Sequence, residues 1–230
     1  GYKTLVFDTG RLRLEVDRNP ISFRLYDQEG TLLYEDLAGN PFVLDSNNRV
    51  THYSRMEEED CFYGFGEKAG PLNKNKEFLR QRATDAMGYN AEKMDTLYKH
   101  IPFYIRVNEE NLHSLGLFYH NSYDCVFDLG QEISGYWESY CYWQADGGDI
   151  DLFLLNGPTA ADVVRRYTWL TGRTALPTKQ SLGFCASTMY YAELEKDCDQ
   201  EIYKVIDKHL QEKLWIDNFW LASGYSSGEE

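Results

Sequence analysis

The chain has 230 residues, 43 % of them hydrophobic and 15 % aromatic, enough for one large β domain or two smaller ones around a real core. Its formal net charge of −14 argues against nucleic acid or an anionic membrane as partner, because both call for a positive surface. No segment has the apolar length of a membrane span, no signal peptide is visible, and the five scattered cysteines include no C-x-x-C pair, so the expectation is reduced thiols in a cytoplasmic protein.

Residues 4–36 alternate cleanly. Leu12, Leu14 and Val16 share one face and Arg11, Arg13, Glu15 and Asp17 the other, which predicts a strand with one buried face. Asp17-Arg18-Asn19-Pro20 forms a turn, 21–26 a returning strand, Asp27-Gln28-Glu29-Gly30 a second turn and 31–34 a further strand. The result is an antiparallel meander. Residues 49–63 read as another strand pair, and the run Glu57-Glu58-Glu59-Asp60 as an exposed turn rather than a metal cage. From 64 to 98 the period is lost in a stretch rich in Gly, Asn, Lys and Asp. A loop of that length inside a compact domain is a candidate for function.

Strands resume at 101–107, 114–119, 126–129, 140–143 and 150–155, with Asp146-Gly147-Gly148-Asp149 as a hairpin turn. Many short strands with turn signals between them predict an antiparallel β-sandwich. Thr159 then caps a helix over 160–170 with apolar Val163, Val164, Tyr167 and Leu170, and Thr171-Gly172-Arg173 ends it. Pro177 marks a linker. Beyond it, 181–187 reads as a buried strand, 192–214 as a helix and 216–221 as a second buried strand. A strand–helix–strand unit opens a parallel sheet, which needs cover on both faces. One unit cannot bury itself, so the expectation is the front part of a longer protein, with domains at 1–176 and 177–230.

Several strings recur in a recognisable order. Tyr63-Gly64-Phe65-Gly66-Glu67 precedes the long loop, and Thr84-Asp85-Ala86-Met87-Gly88-Tyr89 lies in it. Leu97-Tyr98-Lys99-His100-Ile101-Pro102-Phe103-Tyr104 and Gly116-Leu117-Phe118-Tyr119-His120-Asn121-Ser122 follow. Leu155-Asn156-Gly157-Pro158-Thr159 leads to Thr171-Gly172-Arg173-Thr174-Ala175-Leu176-Pro177. Together, over nearly the whole chain, they resemble glycoside hydrolase family 31, the α-glucosidase and α-xylosidase group. The resemblance implies a mainly β fold: a galactose-mutarotase-like sandwich followed by the first β/α elements of a truncated (β/α)8 barrel. It implies a retaining α-glycosidase acting on an oligosaccharide or α-glycoside through two aspartates. Both would lie beyond Glu230, so no catalytic residue is assigned here, nor any metal or cofactor.

The same resemblance places part of the sugar pocket in this chain. Asp85 matches a loop carboxylate that accepts hydrogen bonds from sugar hydroxyls, a task for which two acceptor oxygens suit it. From the residues alone, a solvated Asp capping a local turn fits as well. Arg82 could pair with Asp85 or touch substrate, and an ordinary surface position fits it better. Tyr191 matches a pocket-lining tyrosine after the first barrel strand, and ordinary packing fits it equally. Tyr225 is the third implied substrate-binding residue. It closes Ala222-Ser223-Gly224-Tyr225, where many family α-glucosidases read Asp-Ile-Asp-Tyr. Gly224 thus stands where a glucose-binding Asp is expected, which implies a different sugar, such as an α-galactoside or an N-acetylated one.

Two further functions compete with this one: a stand-alone carbohydrate-binding sandwich and a mutarotase-like epimerase. The latter would need a His and Glu set; His100 or His120 with Glu67 could supply one, but ordinary hydrogen-bonded strand histidines fit these positions better. The helix over 192–214 carries Ile202, Val205, Ile206, Leu210 and Leu214 at helical spacing. In isolation that face predicts irregular docking or self-association.

Overall fold

The computed structural model describes residues 3–222, which fall into two compact units divided after Gly172. The first unit contains β1 (Thr4–Asp8), β2 (Leu12–Arg18), β3 (Ile21–Asp27), β4 (Leu32–Glu35), β5 (Phe42–Leu44), β6 (Val50–Arg55) and β7 (Asp60–Gly64). It continues with β8 (Phe78–Gln81), β9 (Phe103–Asn108), β10 (Ser114–Tyr119), β11 (Cys125–Asp128), β12 (Tyr140–Ala145), β13 (Leu152–Asn156) and the helix α1 (Ala160–Thr171). These strands make three antiparallel sheets, β1-β2-β3-β4, β13-β10-β9-β7 and β5-β6-β12-β11-β8.

The opening meander forms as its alternation predicts, with Leu14 opposite Leu25 and Val16 opposite Phe23. It continues into the five-stranded sheet through an isolated bridge from Asp36 to Ser54. Two pairings differ from expectation. Residues 49–63 do supply two strands, but β6 joins the five-stranded sheet and β7 the four-stranded one, so they belong to different sheets instead of pairing. Likewise Asp146-Gly147-Gly148-Asp149 is no hairpin, because β12 and β13 belong to different sheets. The short strands β5 and β8 were not predicted; β8 lies inside the supposedly patternless stretch.

The main core fills the space between the sheets. Phe62, Phe65, Tyr104, Leu117, Phe127 and Trp143 are all essentially inaccessible there. Tyr119 stacks on Trp143 with centroids 4.5 Å apart, and Phe65 on Tyr104 at 5.0 Å. The expected exposed turn at 57–60 is buried at its end. Asp60 is 1 % exposed and pairs with Arg106, which also donates to the Arg55 carbonyl at 2.8 Å. A buried carboxylate is tolerated because a guanidinium and the Glu57 backbone N–H, 2.7 Å away, both satisfy it.

The four-stranded sheet is covered on its other face by α1. The strand period of two sends Tyr104 and Leu117 into the main core and Phe103, Ile105 and Phe118 toward the helix. Thr159 caps α1 with a complete capping box, its side chain and that of Asp162 each accepting from the other's backbone N–H. Val163 is fully buried against the sheet, and Tyr167 stacks on Phe103 at 3.8 Å. Gly116 permits this approach, since a Cβ there would lie 2.5 Å from Val163 Cγ1.

The second unit contains a 3-10 turn at Lys179–Leu182, β14 (Cys185–Thr188), α2 (Met189–Ala192), α3 (Cys198–Gln211) and β15 (Asn218–Leu221). β14 and β15 pair in parallel, as the strand–helix–strand reading expects. Its boundaries shift. The first strand starts after the 3-10 turn, and α3 starts only after Asp197, whose left-handed φ of 57° interrupts the helical path. Neither strand is buried, as expected of a single unit that cannot cover both of its faces: Trp220 is 62 % exposed and Leu221 58 %. No helix among the described residues is long and apolar enough to cross a membrane.

Candidate functional site

The stretch between β8 and β9 has little regular structure, yet it is held at both ends and in the middle. Gln81, fully buried, donates from Nε2 to the Phe65 carbonyl at 3.0 Å and accepts from the Ile101 N–H at 3.3 Å. One side chain therefore closes the base of the loop. Thr84 N–H donates to the Leu97 carbonyl at 2.8 Å, and the flanking Ala86 and Leu97 side chains are buried. Gly70 N–H reaches the Ala91 carbonyl at 2.9 Å. Asp95 accepts from the Arg80 N–H at 3.1 Å.

Lys68 completes the anchoring. Its Nζ donates to the Arg80 carbonyl and, at 2.5 Å, to the Asp95 carbonyl, joining β8 to the returning arm of the loop. Desolvation by the surrounding protein pushes this amine down to about 8, against the pull of Asp95, which favours the charged form.

On this frame Asp85 is exposed. Its Oδ1 accepts a hydrogen bond from the Tyr98 hydroxyl at 2.8 Å. That bond, followed by partial desolvation and the Asp85 charge, raises the Tyr98 phenol above its ordinary value. Tyr98 thus stays a donor and fixes the carboxylate, while Oδ2 is left to accept from a ligand. Tyr89 and Met87, 52 % and 85 % exposed, flank it on the same loop. An oriented acceptor beside the exposed Tyr98 ring has the chemistry to suit a hydroxylated ligand. Arg82 does not join this group; it pairs with Asp124 at 3.3 Å.

Tyr191 belongs to the second unit. It is half-buried at the end of α2, edge-on to Tyr190 at 5.0 Å and to Phe219 of β15 at 6.3 Å. Tyr225 and Gly224 lie outside the described residues. Neither proposed histidine faces Glu67. His120 lies 3.2 Å from Asp151, and both nitrogens of His100 lie 3.2 Å from carbonyl oxygens, of Gln81 and Asn121. Among the described residues, no group of three or more His, Cys, Asp or Glu is placed to hold a metal ion. The cysteines are unpaired. Cys61, Cys125 and Cys141 are buried, and burial raises all three thiols, that of Cys125 to about 12. Cys185 is exposed and Cys198 partly so.

A second polar cluster went unforeseen. Asp36 accepts from the Tyr34 hydroxyl at 2.7 Å, from the Phe23 N–H at 2.8 Å and lies 2.9 Å from His52 Nε2. His52 Nδ1 lies 3.0 Å from the Tyr119 hydroxyl, and its ring stacks on Phe42 at 4.6 Å. The side chains of Asp36 and His52 have no solvent exposure, so this chain of acid, imidazole and phenol joins the opening meander to the sandwich and meets no substrate. Spacing gave no signal for it, because Tyr34 and Asp36 lie in and just after β4, His52 in β6 and Tyr119 in β10.

The Glycosyl hydrolase 31 N-terminal galactose mutarotase-like domain matches residues 2–128. Alpha-glucosidase 2 of Bacillus thermoamyloliquefaciens is 33 % identical over 214 residues, 93 % of this chain and 25 % of that protein. Alpha-xylosidase XylQ of Lactiplantibacillus pentosus is 27 % identical over 183 residues, covering 80 % of this chain and 22 % of the relative. A family 31 dextranase of Flavobacterium johnsoniae, solved with glucose, superposes with a TM-score of 0.85 at 24 % identity, covering 98 % of this chain and 26 % of the dextranase. The chain therefore spans about a quarter of the length of these relatives. The match to the family model over residues 2–128 assigns this chain to glycoside hydrolase family 31, of which it carries the N-terminal galactose-mutarotase-like domain.

Proposed function

We propose that this chain is the N-terminal part of a retaining, α-glucosidase-like glycosidase that removes terminal α-linked sugars, and that it supplies one wall of the substrate pocket. The observation that carries the proposal is Asp85: an exposed carboxylate, oriented by Tyr98, on a loop anchored by Gln81 and Lys68. A pocket wall must hold its acceptors before the sugar arrives, and this loop does so. Tyr191 and Tyr225 supply further substrate contacts. The parallel β14–β15 pair with its α3 crossover is the start of the catalytic barrel, whose two catalytic aspartates belong to later strands. The apolar side of α3, from Ile202 to Leu210, is covered by that barrel in the longer protein and is prone to self-association without it. The free, mostly buried cysteines fit a cytoplasmic enzyme.

The test uses the longer enzyme with aryl α-glycosides. Asp85→Ala removes a charged hydrogen-bond acceptor and lowers kcat/KM roughly 10- to 100-fold. Unchanged kcat/KM refutes the role of Asp85. With Gly224 in place of the family carboxylate, the preferred substrate is a galactoside or an N-acetylated sugar; equal or faster turnover of the α-glucoside refutes that assignment. The 230-residue chain alone hydrolyses none of them.

A further inference from the structure

A cleft of about 590 Å³ opens in the first unit between α1 and the loops that follow β10 and β12. It includes neither Asp85 nor Tyr98. We propose that this cleft is a second carbohydrate site, built for a neutral hexose or disaccharide unit.

Its walls are already fixed. Asn121 Nδ2 donates to the carbonyls of Gly147 and Asp149, both at 3.0 Å, and its Oδ1 accepts from the Tyr123 N–H at 2.8 Å. One amide thereby ties the two loops together. Tyr123 is 53 % exposed, yet its ring lies flat on the glycine pair. A Cβ on Gly147 would sit 3.0 Å from that ring, and one on Gly148 3.1 Å from it. An exposed aromatic ring held this way loses little freedom when a ligand covers it, so most of its contact energy is realised as affinity.

The floor is apolar and also pinned. Phe118 meets Tyr167 edge-on at 5.4 Å, and Tyr167 is locked by its stack on Phe103. The rim is polar. His120 and Asp151 pair at 3.2 Å with side chains 69 % and 54 % exposed, and the His120 N–H donates to the Asp151 carbonyl at 2.8 Å. Rings for the C–H faces of a pyranose and a carboxylate–imidazole pair for its hydroxyls are the two halves of sugar recognition. A negative rim disfavours anionic ligands, and the volume matches one or two sugar rings rather than a long chain. The site stands independently of the role proposed for Asp85.

The experiment is a titration of the 230-residue chain with isomaltose and, separately, maltose, followed by backbone amide NMR. Saturable shifts at His120, Tyr123 and Gly148, with Kd in the millimolar range, are expected. Tyr123→Ala and Asp151→Asn, each checked for an unchanged spectrum elsewhere, weaken binding about tenfold, while Tyr136→Ala, at an exposed ring outside the cleft, leaves it intact. Absence of saturable shifts, shifts confined to the Asp85 loop, or full binding by both cleft variants overturns the proposal. So do shifts that vanish in the longer protein, since the cleft would then be filled by its other parts.

Discussion

Val163 occupies the space that a side chain on Gly116 would need. The valine is fully buried in α1, the glycine is central in β10, and a Cβ would meet Val163 Cγ1 at 2.5 Å. The helix that follows the sandwich is therefore fitted to its sheet at a specific missing atom.

Gly116→Ala is expected to overpack this contact and cost about 1–3 kcal/mol. Adding Val163→Ala should recover part of that loss, because the two substitutions share one space. Urea denaturation of the two single variants and the double variant measures the coupling. Strict additivity would show that the helix moves away freely and that the fit is unimportant.

Lys68 gives a pH-dependent prediction. Its folded value of about 8 lies below its ordinary 10.5, so the unfolded chain binds more protons between those limits and stability rises with pH across that window. A neutral amine keeps two N–H donors, enough for the Arg80 and Asp95 carbonyls. The stability difference between wild type and Lys68→Met should therefore widen from pH 8 to pH 10. The comparison cancels groups common to both proteins. A difference that stays flat over this range would remove the desolvated amine from the account.

Three tyrosines predict the alkaline limit. Burial comes first among the causes that push Tyr34, Tyr104 and Tyr119 well above their ordinary 10.0; for Tyr34 the Asp36 charge adds to it. Each ionises in the unfolded chain near its ordinary value and stays protonated in the folded one. Stability therefore falls as pH rises above about 10. Tyrosinate absorbance should appear in two stages, exposed rings first and these three together with loss of the fold. A single smooth rise with near-UV circular dichroism intact would contradict this.

The sandwich was legible where one face of a strand is wet. Leu12, Leu14 and Val16 announce β2 because water on the opposite face selects charged residues there. Pairing was less legible. The period of two says that 50–55 and 60–64 are strands, but the partner of each is decided by core packing across the sandwich, which a local pattern does not encode. β8 was hidden because it has four residues and ends beside a loop of mixed polarity. Family resemblance singles out Asp85, whereas its partner Tyr98, thirteen residues later, emerges only when the loop folds back through Thr84 and Leu97. Gln81, Lys68, Asp36 and His52 carried no signal, since a polar residue in a strand or loop looks solvated until its partners are known.

The uneven burial of the cysteines gives the molecule a chemical handle. Thiolate is the nucleophile toward maleimides, and three sulfurs are held protonated inside the sandwich. Cys185 in β14 is open to solvent. A fluorophore added near neutral pH should therefore attach beside the parallel strand pair first, leaving the sandwich unmodified and turning β14 into an optical reporter of what later docks against it.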